Sequence, residues 1–243
     1  VLAKLSESEA LVSRQTGLPA RKVAGLYLGW RGGSITVPGV NGVTFWERKN
    51  TAGKVGHGGV PEVLSRLEQL KRDKDSTMQG KSGTRLAIIG HSFGAEIVYS
   101  ALTQVLANRF VLTVGPAGQQ SDVGGFSDLV VLINPAFESE LFASLSDMST
   151  ERGMYFKSQL PVMAVLTSDA DYATRFAFPL GRLFSTVFEE EHNAQRFNAV
   201  TRRQETIDEG EANLIALGHF EPYGTHTLYP SGDTPRGEIV ELA

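Results

Sequence analysis

Short, continuously apolar runs alternate along this chain with segments whose apolar residues recur at helical spacing. The runs are KVAGLYLGW (residues 22–30), TRLAIIG (84–90), DLVVLIN (128–134), LPVMAVLTS (160–168) and ANLIALG (212–218), with GVTFWERK (42–49) a further strand candidate. Between them, Val60, Val63, Leu64, Leu67 and Leu70 fall on one helical face, with Pro61 suited to the first turn. Ile97, Val98, Ala101, Leu102 and Val105 do the same in the segment after residue 94. Buried strands separated by amphipathic helices predict an α/β class, with a mainly parallel central sheet and helices on both faces. The length of 243 residues suits one domain, 1–243, with residues 1–21 a helical N-terminal extension.

At the junction of the TRLAIIG run and the helix that follows stands Gly90-His91-Ser92-Phe93-Gly94. In a chain with 26 glycines the Gly-x-Ser-x-Gly spacing is weakly specific by itself. A serine there is either a helix N-cap or a nucleophile. The strand before it and the helix after it favour the nucleophile, because a tight strand-to-helix turn pushes a hydroxyl above the sheet. Glycine at positions 90 and 94 fits the same turn, since a Cβ would collide across it. The backbone N–H of Phe93 then opens the helix, where a developing oxyanion would sit.

IIGHSFGAEIV resembles the nucleophile elbow of serine esterases and lipases of the α/β-hydrolase superfamily, and the resemblance extends over most of the chain from Lys22 onward. NPAFES, DYATRFAFPLGR and GTHTL are similar to a poorly characterised microbial branch of that superfamily. The resemblance implies an α/β-hydrolase fold and a triad in the chain order serine, acid, histidine. The acid is expected just past the strand LPVMAVLTS, which offers Asp171 with Asp169 as the alternative. The histidine is expected after the last strand, where His226 is favoured because Pro222 and Gly224 can turn the chain back, and His219 is the alternative. A second oxyanion donor is expected from the loop GWRGGS, at the backbone of Trp30 or Arg31. No histidine precedes the glycine there, which departs from the superfamily pattern, and Arg31 could instead tie the loop down through an ion pair.

Composition narrows the remaining classes. Lys+Arg 23 against Asp+Glu 27 gives a net charge of −4 without a basic run to follow a phosphate backbone, so nucleic acid is not an expected partner. The absence of cysteine removes disulfides and thiolate metal sites. The apolar runs are of strand length, so no transmembrane segment is expected. Gly80-Lys81-Ser82-Gly83 suggests a phosphate loop but lacks its first glycine, Asp75 standing there, and it precedes a strand. Neither a His-Glu-x-x-His motif nor any other metal set is read from His57, His91, His192, His219 and His226, and EEEHN (189–193) reads as a solvated acidic face.

The expected activity is hydrolysis of a small-molecule or lipid carboxylic ester through an acyl-enzyme, with no cofactor. Ser92 attacks, a histidine takes its proton, and an aspartate orients the imidazole. Two other readings share these residues: a non-catalytic scaffold that binds a small ligand or a protein, and acyl transfer or peptide hydrolysis at the same serine. Phe137/Phe142 and Phe176/Phe178 are candidates for an acyl pocket, with core packing the competing role.

Overall fold

The computed structural model describes residues 2–30, 41–77, 83–113, 122–152, 155–179, 193–198 and 203–228. Three strands form a parallel sheet in the order β1 (Ala87–His91), β2 (Leu129–Ile133) and β3 (Met163–Leu166), in the register Ile89↔Val131↔Ala164. Helices separate them in sequence, so the chain is of α/β class. After helices α1 (Leu2–Thr16), α2 (Asn41–Gly56) and α3 (Val60–Thr77), the helix α4 (Phe93–Thr113) crosses from β1 to β2. The helix α5 (Ala143–Arg152) lies between β2 and β3. An antiparallel pair, β4 (Asn193–Asn198) and β5 (Arg203–Asp208), leads into the short helix α6 (Glu209–Leu214).

The core forms where one face of the sheet meets α4. Ile88, Val130 and Leu132 pack with Ala95, Val98, Tyr99, Ala101, Leu102 and Leu106, and Leu64 of α3 closes over them. Burial along β1 alternates strictly, with Ile88 and Gly90 buried, Ile89 57% exposed and His91 exposed. Among the described residues only this face is covered, where the apolar pattern predicts helices on both. On α3 the buried stripe also differs from the expected one: Leu70 is exposed, whereas Glu68 is buried. The reason is electrostatic. Arg109 reaches down from α4 and grips the Glu68 carboxylate through both nitrogens, at 2.5 and 2.6 Å, and the Ser127 N–H donates to the same group at 3.0 Å. Burial works to raise the Glu68 pKa, but the Arg109 and Ser127 hydrogen bonds and the charges of Arg109 and Arg72 together hold it below the ordinary value.

Three expected strands are absent. Residues 17–30 are irregular and carry Leu26 and Tyr27 exposed, and they join no ladder among the described residues. They follow α1, to which Arg21 is tied by two hydrogen bonds to Glu9. GVTFWERK is instead the first half of α2. This helix meets α4 through Gly53 and Gly56. Gly56 is so close that a Cβ would stand 2.7 Å from Ser100 Cβ and 2.9 Å from the Ile97 carbonyl oxygen. An apolar scan does not see such a contact, because glycines make it. ANLIALG is divided: Asp208 accepts the Glu211 N–H and caps α6, Ile215 and Ala216 are extended, and Leu217 and Gly218 turn. The residues after α6 pair antiparallel with the segment after β2, through Glu138↔Ala216 and the bond from the Leu217 N–H to the Phe137 carbonyl, and stay outside the sheet.

Candidate active site

All three parallel strands end at the same edge, and Ser92, Asp169 and Asp171 follow β1 and β3 there. Ser92 is the first residue past β1. Its φ is +54°, a left-handed conformation that a serine adopts only against a steric penalty of about 1 to 2 kcal/mol. The turn is held on both sides. The Ser92 N–H continues the ladder to the Ile133 carbonyl at 3.0 Å, while its carbonyl accepts from Ala95, Glu96 and Ala136. Gly90 is required by space: a Cβ would lie 2.6 Å from both Ala95 Cα and the Gly94 carbonyl oxygen. Gly94 is different, since a Cβ there would meet nothing within 4 Å, so the collision expected at that position does not occur.

The Phe93 N–H opens α4 directly after Ser92. The Trp30 ring stands edge-on to the Phe93 ring, with centroids 6.5 Å apart, which brings Trp30 to the elbow. Arg31 lies outside the described residues, as do His192 and the EEEH segment.

Past β3, a second set of groups converges. Asn134, at φ +43° beyond β2, accepts the Ser168 N–H on its side chain and joins the ends of β2 and β3. Asp171 then binds locally: Oδ1 accepts the Ala173 N–H at 3.1 Å, and Oδ2 accepts the Thr174 hydroxyl at 2.9 Å. The same hydroxyl is 2.9 Å from His219 Nε2. Thr174 is buried, inside a π-helical turn over Ala173–Ala177. Asp169 is exposed and approaches the Arg175 guanidinium at 3.8 Å.

His219 is fixed from its other side by Gly218, whose φ is +98° and whose Cβ, if present, would overlap Thr167 Oγ1 at 1.8 Å. Only glycine lets the chain approach the end of β3 so closely. Burial lowers the His219 pKa below the ordinary imidazole value and the Arg175 charge adds to this, while Asp169 and Asp171 pull the other way. Burial and the Arg175 charge thus both favour the neutral imidazole.

Of the two candidate histidines, His219 is the one joined to the candidate acid. His226 is exposed, and its Nδ1 meets Thr225 Oγ1 at 3.0 Å. No hydrogen bond connects the Ser92 hydroxyl to either ring in this structure. Sequence reasoning missed Thr174, although Asp171-Tyr172-Ala173-Thr174 is a capping pattern in which the fourth residue turns back to the first.

Phe137 and Phe178 are fully buried, and Phe176 is exposed beneath the Arg175 guanidinium. Phe142 lines an apolar cavity of about 230 Å³ with Leu106, Phe110, Leu145, Val162 and Met163. Met163 begins β3, so this cavity lies toward the amino ends of the strands, away from Ser92. Among the described residues no three His, Asp or Glu side chains converge to hold a metal ion, and no helix is long and apolar enough to cross a membrane. The chain matches no protein-family model, no curated protein and no solved structure.

Proposed function

We propose that the chain is a serine hydrolase of carboxylic esters, built on an α/β-hydrolase-type fold, with Ser92 as nucleophile and His219 and Asp171 as its proton-handling partners. The observation that carries this is the elbow. Ser92 is held at φ +54° between a parallel strand and a 21-residue helix, over a Gly90 that has no space for a side chain. A plain N-cap needs neither the strain nor the forced glycine, because a cap serine takes extended backbone angles. Strain of this kind is kept where it aims a reactive group.

In this reading Ser92 Oγ attacks the ester carbonyl and passes its proton to the neutral His219 imidazole. The Phe93 N–H and the Trp30–Arg31 loop steady the oxyanion, the imidazolium returns the proton to the leaving alcohol, and water releases the acyl group by the same route. His219 replaces His226 as the preferred base because it alone is linked to Asp171 and is partly desolvated. The missing Ser92–His219 hydrogen bond fits a ligand-free site, where such bonds tighten only around substrate.

A fluorophosphonate probe tests the reading, since it bonds only to an activated serine. Wild-type protein should label at Ser92 and hydrolyse p-nitrophenyl esters, while Ser92→Ala should lose both and keep its fold. Labelling of Ser92→Ala at the wild-type level, or wild-type protein inert to probe and esters alike, would remove the proposal.

A further inference from the structure

We infer that Thr174 is a positioning residue that sets the tautomer of His219, holding the proton of the neutral ring on Nε2 and leaving Nδ1 as the nitrogen that accepts a proton. This rests on the reading of His219 as the base of Ser92, and it assigns that base a chemistry which neither the motif nor the fold class dictates.

The argument is a count of protons. The Thr174 hydroxyl lies 2.9 Å from Asp171 Oδ2 and 2.9 Å from His219 Nε2. It has one proton to give. An ionised carboxylate has none, so the bond between Thr174 and Asp171 forms only if the hydroxyl donates. With that proton committed, the hydroxyl can meet Nε2 only as an acceptor, and Nε2 must carry a hydrogen. The opposite orientation, with the hydroxyl donating to Nε2, would face its lone pairs toward a carboxylate oxygen at 2.9 Å. The usual triad has the nitrogens in exchanged roles, Nδ1–H toward the acid and Nε2 toward the serine.

The surroundings prevent this arrangement from relaxing. Thr174 is 2% exposed, so water has little access to take the place of its hydroxyl. Asp171 cannot turn away without giving up the Ala173 N–H on its other oxygen. The turn that carries Thr174 is π-helical, a geometry found often at functional sites. On the histidine side, the backbone N–H of His219 donates to the Ala216 carbonyl, and Gly218 is pinned against Thr167. The charged groups around the ring are Asp169 and Asp171, from the loop after β3, and Arg175, from the π-helical turn. When Nδ1 takes a proton, both nitrogens carry hydrogen, the Nε2–H to Thr174 bond persists, and the Thr174 proton stays where it was. Asp171 thus acts on the imidazolium through one intervening hydroxyl.

The test is nitrogen-15 NMR of the His219 ring, with activity as a second readout. In wild-type protein above the ring's pKa, Nε2 should be the protonated nitrogen and Nδ1 the bare one. Thr174→Val keeps the shape and removes the hydroxyl: the ring should become a mixture of tautomers, and kcat should fall by about 10- to 100-fold, the range for a lost hydrogen bond to a charged group, with little change in KM. Thr174→Ser should restore both. A wild-type ring protonated on Nδ1, or an unchanged tautomer and rate in Thr174→Val, overturns the inference; the wild-type spectrum decides this even if the valine variant does not fold. The two readings fail separately. Wild-type protein without probe labelling at Ser92, but with a Thr174-dependent tautomer, defeats the hydrolase and leaves the positioning role standing. Labelling with a tautomer indifferent to Thr174 does the reverse.

Discussion

Replacing Glu96 by Gln should stabilise this protein, and by an amount that grows with pH. Glu96 lies in the first turn of α4, is 6% exposed, and has one carboxyl oxygen, Oε2, without a hydrogen-bond partner. Burial is the main force on it, pushing its pKa from 4.5 up to about 8; Lys49 of α2 opposes this and Glu138, past β2, adds to it. Lys49 is committed to Glu138 by an ion pair. In the unfolded chain the group ionises near 4.5, whereas in the fold it stays protonated to about 8. Between those values the folded state binds the extra proton. The associated stability is therefore fully present below 4.5 and is lost as pH rises through about 8. At about 1.4 kcal/mol per pH unit, the loss by pH 7 is on the order of 3 kcal/mol, a large part of a typical net stability. Glutamine keeps the shape and cannot ionise. Urea denaturation of both proteins at pH 5 and pH 7.5 should show the advantage of Glu96→Gln growing by about 3 kcal/mol between the two, with the urea dependence unchanged. A constant difference between variant and wild type would refute the reasoning, because a packing effect does not vary with proton activity.

Two further outcomes follow from charges elsewhere in the molecule. Arg109→Met should cost about 3 kcal/mol in the same urea assay at pH 7, since it leaves the buried Glu68 carboxylate without its bidentate partner; a loss under about 0.5 kcal/mol would show that Arg72 and the Ser127 N–H suffice. In a pH–rate profile of ester hydrolysis, kcat/KM should fall toward acid with an apparent pKa below the ordinary imidazole value, and Arg175→Gln should move that limb upward, because burial and the Arg175 charge both disfavour the imidazolium. An unmoved limb would show that Arg175 does not act on the base.

The parts legible in the sequence are those whose contacts are apolar and local in period. β1, β2, β3, α3 and α4 all come from runs or stripes of Val, Ile and Leu. What escaped was held by other means. Gly53 and Gly56 of α2 come close to Glu96 and Ser100 of α4, a contact written in small residues, and α6 starts because Asp208 caps it. Glu68 takes a core position that Leu70 was expected to hold, because a partner 41 residues away neutralises it. At the proposed site, motif and spacing point to Ser92 and Asp171, but they do not choose between His219 and His226. They share one loop. What separates them is the approach of Gly218 to Thr167, a contact across the fold that no local pattern announces.

On the proposed reading the pH behaviour of stability and of catalysis runs in opposite directions, and the residue behind the first stands beside the proposed nucleophile. Ser92 and Glu96 share the first turn of one helix, where the Glu96 N–H donates to the Ser92 carbonyl at 3.4 Å. A neutral His219 serves as base on the alkaline side of its lowered pKa. Over that same range Glu96 is increasingly unfavourable to bury, and Lys49, which lowers its pKa, is already engaged by Glu138. If Ser92 is the nucleophile and His219 its base, the elbow is most active where the helix behind it is least stable. In wild-type protein these effects combine into an optimum, because rate rises to a plateau while the folded fraction declines above it. In Glu96→Gln the acid limb should stay where His219 sets it, and the alkaline decline in thermal half-life should move to higher pH. A single variant that moved both limbs would mean that Glu96 reaches the imidazole itself, and that the two dependences have one origin.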